Sequence, residues 1–206
     1  MVPFALLETM RLEGAQTVRL ERHLDRMAAS ARRFGYPWDE AAVRSELASC
    51  ARAHPDGRWR LRLLVSSEGV PTVDCTPFSS DERRVWRVAF AGAPVNEDDP
   101  FLFNKTTYRA AYDNARRERL DVDDVLLWNT RGEVTEATIA NVVAEIDRVR
   151  YTPPVSCGLL GGTFRAELVE SGAVRERVMT KPAVANAARL WLINSLREWI
   201  DISLVE

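Results

Sequence analysis

Short apolar segments of alternating character, cut by Gly and Pro and broken by helices at irregular intervals, constrain this chain more than any other feature. A doubly wound sheet needs strands and helices in strict alternation. Here that rhythm is absent, which predicts an α+β fold. Residues 4–11 and 16–20 alternate as two short strands joined at Glu13-Gly14. Between Glu21 and Phe34, the residues Leu24, Met27, Ala28, Ala31 and Phe34 recur at three- and four-residue steps, an amphipathic helix that Gly35 and Pro37 end. A second helix is predicted over 39–53, then a hairpin of 58–66 and 70–76 across Glu68-Gly69, and a strand over 85–91. The acidic, Pro-bounded stretch 93–100 reads as a loop and sets the expected boundary: a smaller α+β domain over 1–92 and a larger, β-rich domain over 93–206.

In the second half a charged amphipathic helix is expected over 107–120 and a strand over 125–129. A turn at 130–133 leads through Glu136 into strand 140–146, which pairs with 149–152 across Asp147-Arg148 until Pro153-Pro154 ends the ladder. A glycine-bearing loop, 158–162, enters a helix over 163–171. Strand 174–179, a short helix at 182–186, and strands 189–193 and 199–204 complete the chain.

Bulk properties exclude several classes. With 206 residues and 46% hydrophobic content there is material for a real core, and the net charge of −2, with both signs interspersed, offers no basic stripe for nucleic acid. The longest apolar runs are strand-length, far short of a bilayer span. The N-terminus lacks the basic start and apolar region of a signal peptide. Three scattered cysteines, Cys50, Cys75 and Cys157, read as reduced thiols and hence a cytoplasmic protein. With His23 and His54 as the only histidines and no Cys or His cluster along the sequence, no metal site is expected.

The chemistry starts from lysine. Of 28 basic residues only Lys105 and Lys181 are lysines, leaving 26 arginines (28 minus 2). A primary amine can form an imine with an aldehyde, which a guanidinium cannot do. Composition alone leaves Lys105 equally readable as a leftover surface charge. Glu136, in the segment 132–141, could hold a protonated ring nitrogen or be one of two solvated glutamates at a hairpin. Gly161-Gly162-Thr163-Phe164 puts small residues at a helix start, suited to a phosphate or to an ordinary tight turn. Asn194-Ser195 adds a hydroxyl and an amide between two strands.

Taken in order, these segments resemble a known family. They are Phe4-Ala5-Leu6-Leu7-Glu8-Thr9, His23-Leu24-Asp25-Arg26, Lys105-Thr106-Thr107-Tyr108-Arg109 with Tyr112, Glu136 to Asn141, Gly158 to Arg165, and Asn194-Ser195-Leu196-Arg197. Together they resemble the class IV aminotransferases, the fold-type IV pyridoxal-phosphate enzymes. Within that family the similarity is greatest to the branch that splits 4-amino-4-deoxychorismate into 4-aminobenzoate and pyruvate for folate synthesis.

The resemblance implies two domains with pyridoxal 5'-phosphate between them and a homodimer, and suggests a link to aminodeoxychorismate synthase. It implies Lys105 as the Schiff-base lysine, Glu136 as partner of the pyridine nitrogen, and Arg26 as the phosphate-binding arginine. The amides of Thr163 and Phe164 and the Ser195 hydroxyl would complete the phosphate cup, and His23 would be structural. Arg62 is comparable to a residue that meets the substrate carboxylate in some relatives, though Arg58, Arg60 and Arg62 also alternate as an outward face. Arg109 is a second candidate for the substrate.

There are departures from the family pattern. Gly161 replaces the usual Pro of Leu-Pro-Gly. Ala110 stands where branched-chain aminotransferases place a cofactor-contacting Tyr. The chain starts nearly at the Phe-Glu-Thr-like segment, as the lyase forms fused to the synthase do. An aminotransferase acting on a small amino acid and a 2-oxo acid, or a non-catalytic family member, remain the alternatives.

Overall fold

The computed structural model describes residues 3–79 and 84–205. The chain forms two compact units, Met1–Ser80 with Asn104–Tyr108, and Asp81–Phe103 with Arg109–Glu206.

The first unit is a four-stranded antiparallel sheet carrying two helices. Strands β1 (Leu6–Glu13), β2 (Gln16–Thr17), β3 (Arg58–Val65) and β4 (Pro71–Pro77) lie in the order β2-β1-β3-β4. Strict alternation sends Leu6, Met10 and Leu12 of β1 and Leu61, Leu63 and Val65 of β3 to one face. There they pack on Leu24, Met27 and Ala31 of α1 (Leu20–Phe34) and on Val43 and Leu47 of α2 (Glu40–Ala53). Each such side chain contributes about 1.5–3 kcal/mol when fully buried. Gly35 ends α1 in the left-handed region, φ 70°, returning its N–H to the Ala31 carbonyl, and the Asp39 carboxylate caps α2 by accepting from Ala42 N at 3.0 Å.

One residue breaks the apolar pattern. Glu8 lies between Leu6 and Met10 on the core face, opposite Leu63, and is fully buried.

Lys105 belongs to this unit through its backbone. Leu7 N donates to the Lys105 carbonyl at 2.9 Å, Thr107 N to the Ala5 carbonyl at 2.9 Å, and Ala5 N to Thr107 Oγ1 at 2.9 Å. Leu6 and Thr106 form an antiparallel bridge. The short β2 covers only Leu12 and Glu13 of β1, which leaves the Leu6 end of that edge for residues 105–107. This pairing delays the helix expected from Thr107; α4 runs Ala110–Glu118, and Leu120 is exposed.

In the second unit the strands β5 (Trp86–Phe90), β6 (Asp124–Trp128), β7 (Val134–Ala137), β8 (Asn141–Ile146), β9 (Val149–Thr152), β10 (Arg175–Glu176), β11 (Arg189–Asn194) and β12 (Glu198–Leu204) form one mixed sheet. Its order is β10-β9-β8-β11-β12-β5-β6-β7, and a further β7–β8 pairing, Glu136 opposite Asn141, closes the strands from β8 to β7 into a ring. One residue set from these strands, including Val88, Leu126, Val134, Val142, Ala144, Leu192, Ile200 and Ile202, forms a single core. Their strand neighbours face outward. Ala89, Val125 and Leu127 meet Leu102 of α3 (Pro100–Phe103) and Tyr112 and Ala115 of α4, and Val143, Trp191 and Ile193 meet Phe164 and Leu168 of α5 (Thr163–Glu170).

The structure departs from the sequence expectations in three further places. The units do not divide within 93–100, because β5 pairs in parallel with both β12 and β6 and so joins the second sheet. Residues 134–137, taken as part of a turn, are a fully buried strand. Of the strand expected over 174–179 only Arg175–Glu176 pairs with β9; beyond it the chain changes partner, Val134 N donating to the Met179 carbonyl and Thr180 bridging to Glu133. α6 (Lys181–Ala185) follows, capped by the Thr180 hydroxyl. Among the described residues no helix is long and apolar enough to cross a membrane.

Candidate active site

The candidate residues fall into two constellations, one in each unit. In the first, Glu8 holds the centre. Arg26 donates to both of its oxygens, Nε to Oε1 at 2.8 Å and Nη2 to Oε2 at 2.7 Å, while His23 Nδ1 lies 2.7 Å from Oε2. Arg26 and His23 are three residues apart on α1, one turn, so both reach the same side of the sheet. Burial alone would raise the Glu8 pKa; the Arg26 charge, followed by His23 and the hydrogen bonds from both, outweighs it and holds the carboxyl at about 2. Burial lowers the His23 pKa, as do the nearby positive charges of Arg26 and Lys105, while Glu8 opposes the shift. A neutral His23 donating from Nδ1 to an ionised Glu8 satisfies both groups. Lys105 is therefore close enough for its charge to be felt at His23, and its side chain is half-buried.

Arg62 lies elsewhere. It sits on the exposed face of β3, opposite Thr9 and Asp74, while Leu61 and Leu63 point to the core.

The second constellation surrounds Glu136 at the closure of the ring. Tyr112 Oη donates to Glu136 Oε1 at 2.8 Å, Leu160 N to the same oxygen at 2.9 Å, and Asn141 Nδ2 to Oε2 at 3.1 Å. Asn141 Nδ2 also donates to the Leu160 carbonyl at 2.9 Å. Every one of these neighbours presents a donor, so the carboxylate works here as an acceptor. Burial and Glu136 push the Tyr112 phenol well above its usual pKa, which keeps the donor protonated. The hairpin glutamate is thus buried, not solvated.

Arg109, just before α4, donates from Nη2 to the Thr138 carbonyl at 2.5 Å and lies 4.7 Å from the Tyr112 ring centre. It braces the β7–β8 turn. The turn is fixed from below by Asp124, whose Oδ1 accepts from Thr138 Oγ1 and from Thr138 N at 3.2 Å.

Two more loops converge on this end of the ring. Asn141 is paired with Ile193, and the Asn194 side chain donates to the Ile139 carbonyl at 3.4 Å while accepting from Leu196 N and Arg197 N. That holds the β11–β12 turn, with buried Ser195, beside the β7–β8 turn. The third loop ends at Gly162, where a Cβ would collide with Asn141 Oδ1, so only glycine lets the start of α5 approach Asn141 this closely. Thr163 and Phe164, both buried, open α5, where backbone amides lack partners within the helix. Gly161 carries no such constraint, consistent with the freedom to replace proline there.

Sequence reasoning gave no role to Glu8, Asn141 or Asp124. The signal for Glu8 was a charge at a core position of an alternating strand. For Asn141 it was an amide at the start of an apolar strand, five residues from Glu136. Nor did the sequence show a Cys or His cluster, yet folding gathers Cys50, His54 and Cys75 within 4.8 Å in the first unit. One helical turn separates the first two, and β4 supplies the third.

Residues 5–205 match the family described as Amino-transferase class IV. The chain is 34% identical, over 94% of its length and 86% of the relative's, to a Schizosaccharomyces pombe protein with the provisional name aminodeoxychorismate lyase. A solved Mesorhizobium loti structure, provisionally named an amino-acid aminotransferase, is 35% identical with a TM-score of 0.92, covering 98% of this chain and 100% of that one. The 4-amino-4-deoxychorismate lyase of Pseudomonas aeruginosa has the same fold at 22% identity, TM-score 0.80, covering 98% and 83%. With the match spanning nearly every residue, the chain belongs to the class IV aminotransferases and is a pyridoxal-phosphate-dependent enzyme of fold type IV.

Proposed function

We propose that this enzyme is a lyase that takes 4-amino-4-deoxychorismate to 4-aminobenzoate and pyruvate. The observation that carries the reading is the buried Glu136 carboxylate, fixed by Tyr112, Asn141 and Leu160. The choice of substrate draws its support from the 34% identical relative that aligns with 94% of the chain.

The residues fit the cofactor. A rigid buried carboxylate suits a protonated pyridine nitrogen, and the N-terminus of α5, whose close approach to Asn141 Gly162 permits, suits a phosphate. In this reading Glu136 partners the ring nitrogen, while Arg26, Thr163, Phe164 and Ser195 hold the phosphate. Lys105 forms the covalent link. Pyridoxal phosphate, when bound, supplies an electron sink for the pair left when a bond to the amine-bearing carbon breaks.

The chain's own residues do the remainder. Glu136 keeps a proton on the ring nitrogen. Arg26 is oriented by its two bonds to Glu8, so its guanidinium arrives in a fixed plane. The Lys105 amine would remove the proton from the amine-bearing carbon of the substrate. The Lys105 backbone is fixed to β1 at its own carbonyl and over the next two residues, which limits the space the amine must search. Arg109, beside the Glu136 constellation, is the candidate for meeting a carboxylate of the substrate; Arg62, the other candidate from the sequence, lies on the exposed face of β3 outside both constellations. Loss of the enolpyruvyl group leaves an aromatic ring, so the direction is strongly favoured. The enzyme works as a homodimer in this proposal.

A second reading, an aminotransferase for a small amino acid and a 2-oxo acid, is favoured by the Mesorhizobium loti structure at 35% identity. The two part at the product. Enzyme loaded with pyridoxal phosphate and given aminodeoxychorismate should release 4-aminobenzoate and pyruvate in equal amounts over many turnovers. Absence of 4-aminobenzoate, together with conversion of the cofactor to its amine form by an amino acid and its return by 2-oxoglutarate, would establish the aminotransferase instead.

A further inference from the structure

Away from both constellations, one set of soft donors converges. Cys50 Sγ, a ring nitrogen of His54 and Cys75 Sγ all lie within 4.8 Å of one another. Cys50 occupies the last turn of α2 and His54 is that helix's C-cap, so a four-residue step puts both on one face. Cys75 comes from β4, on the same side as Val73, facing the core of the unit. All three are half-buried. The imidazole is held in place on two sides: its Nδ1 is 2.9 Å from the Cys50 carbonyl, and its ring centre is 4.1 Å from that of Trp59. Trp59 is anchored in turn by donating Nε1–H to the Asp56 carbonyl at 2.8 Å.

We propose that Cys50, His54 and Cys75 form a binding site for one soft or borderline d10 cation of the Zn2+ class, with solvent as fourth ligand. Two sulfurs and an imidazole, with no carboxylate in the set, select such a cation over Mg2+ or Ca2+. Tetrahedral bonds of about 2.3 Å to sulfur and about 2.0 Å to nitrogen place ligand atoms roughly 3.5–3.8 Å apart. Side-chain rotation covers the difference from the present spacing. The imidazole, with Nδ1 3.9 Å from Cys50 Sγ, supplies the rigid corner of the site.

Binding releases both thiol protons to solvent, leaves the imidazole neutral, and oxidises nothing. The cation would tie α2 to β4, a cross-link between residues 25 apart (75 minus 50).

The test uses the full, cofactor-loaded chain, reduced and freed of metal. Titration with cadmium-113 should show one ion per chain with a chemical shift in the mixed sulfur–nitrogen range, distinct from an ion on the cofactor's phosphate oxygens. The same ion should protect Cys50 and Cys75, but not Cys157, from alkylation in the unaltered protein. Cys75→Ser should weaken uptake at least a hundredfold and His54→Gln at least tenfold, with Cys157→Ser unchanged. An oxygen-type shift, uptake that survives Cys75→Ser, or failure of the ion to slow alkylation would overturn the proposal. So would a Cys50–Cys75 disulfide forming under mild peroxide at the same rate with and without the ion.

Discussion

Each unit holds one buried glutamate at the centre of its constellation, and each is tolerable because its neighbours present donors to it. Glu8 is the sharper case, a charge at a core position between Leu6 and Met10. Deleting one partner of a buried pair leaves the other unmatched, which costs about 3–5 kcal/mol. Glu8→Gln should therefore lower the urea midpoint by that equivalent and, by freeing the Arg26 plane, weaken pyridoxal phosphate binding. Equilibrium unfolding and cofactor titration measure the two effects separately. The same cluster sets an acid limit on stability. The Glu8 carboxyl is depressed from its usual 4.5 to about 2, so its contribution is whole above pH 4.5 and is lost as pH falls toward 2. His23 acts earlier: its folded pKa lies below the usual 6.5, so beneath that pH the unfolded chain takes up a proton that the folded chain refuses. Stability should decline in two stages on acidification, and His23→Gln should flatten the upper stage while leaving the lower one.

At the scale of elements, the Glu136 constellation sits where the ring of strands closes. Glu136 and Asn141 are directly opposite each other in the β7–β8 pair, and α5 begins against that same asparagine. Gly162→Ala would drive a methyl into Asn141 Oδ1, and either the helix start or the asparagine must yield. A loss of about 1–3 kcal/mol is expected from such overpacking, with cofactor affinity falling at least tenfold because Asn141 and Glu136 are linked. Thermal unfolding with and without pyridoxal phosphate checks both; an unchanged cofactor affinity would separate Gly162 from the site.

Most elements were legible because their periodicity matched their burial, as in α1 and in the β3–β4 hairpin. β7 was not. Its Val-Thr-Glu-Ala is buried on every residue, so alternation carries no information, and the glutamate makes it look like a turn. The 105–107 segment was hidden for another reason: its partners, Ala5 and Leu7, are about a hundred residues away, and local pattern favoured starting the helix there. Cys50, His54 and Cys75 were invisible in the same way, since α2 meets β4 only after folding.

At the scale of the whole molecule the informative fact is the scarcity of lysine: 26 of 28 basic residues are arginine, so an aldehyde has two side-chain amines to choose from. Their settings differ. Lys181 opens α6, and its Nζ lies 3.6 Å from the centre of the Trp128 ring, a cation–π contact on the protein's own aromatic surface. Lys105 sits half-buried on a strand segment that is fixed to β1, within electrostatic reach of His23 beside Glu8 and Arg26. The order of the family segments along nearly the full chain was legible from sequence; which amine the fold prepares is a matter of this local setting. Borohydride reduction of the loaded enzyme, followed by digestion and mass mapping, should find one pyridoxyl group per chain, on Lys105. Lys181→Arg should leave that yield unchanged, since it removes the competing amine and keeps a cation over Trp128. Lys105→Ala should abolish both the adduct and turnover while leaving the urea midpoint within about 0.5 kcal/mol, as for other substitutions outside a core. A reduced group on Lys181, or full turnover in Lys105→Ala, would move the chemistry away from β1 and the assignment of the site with it.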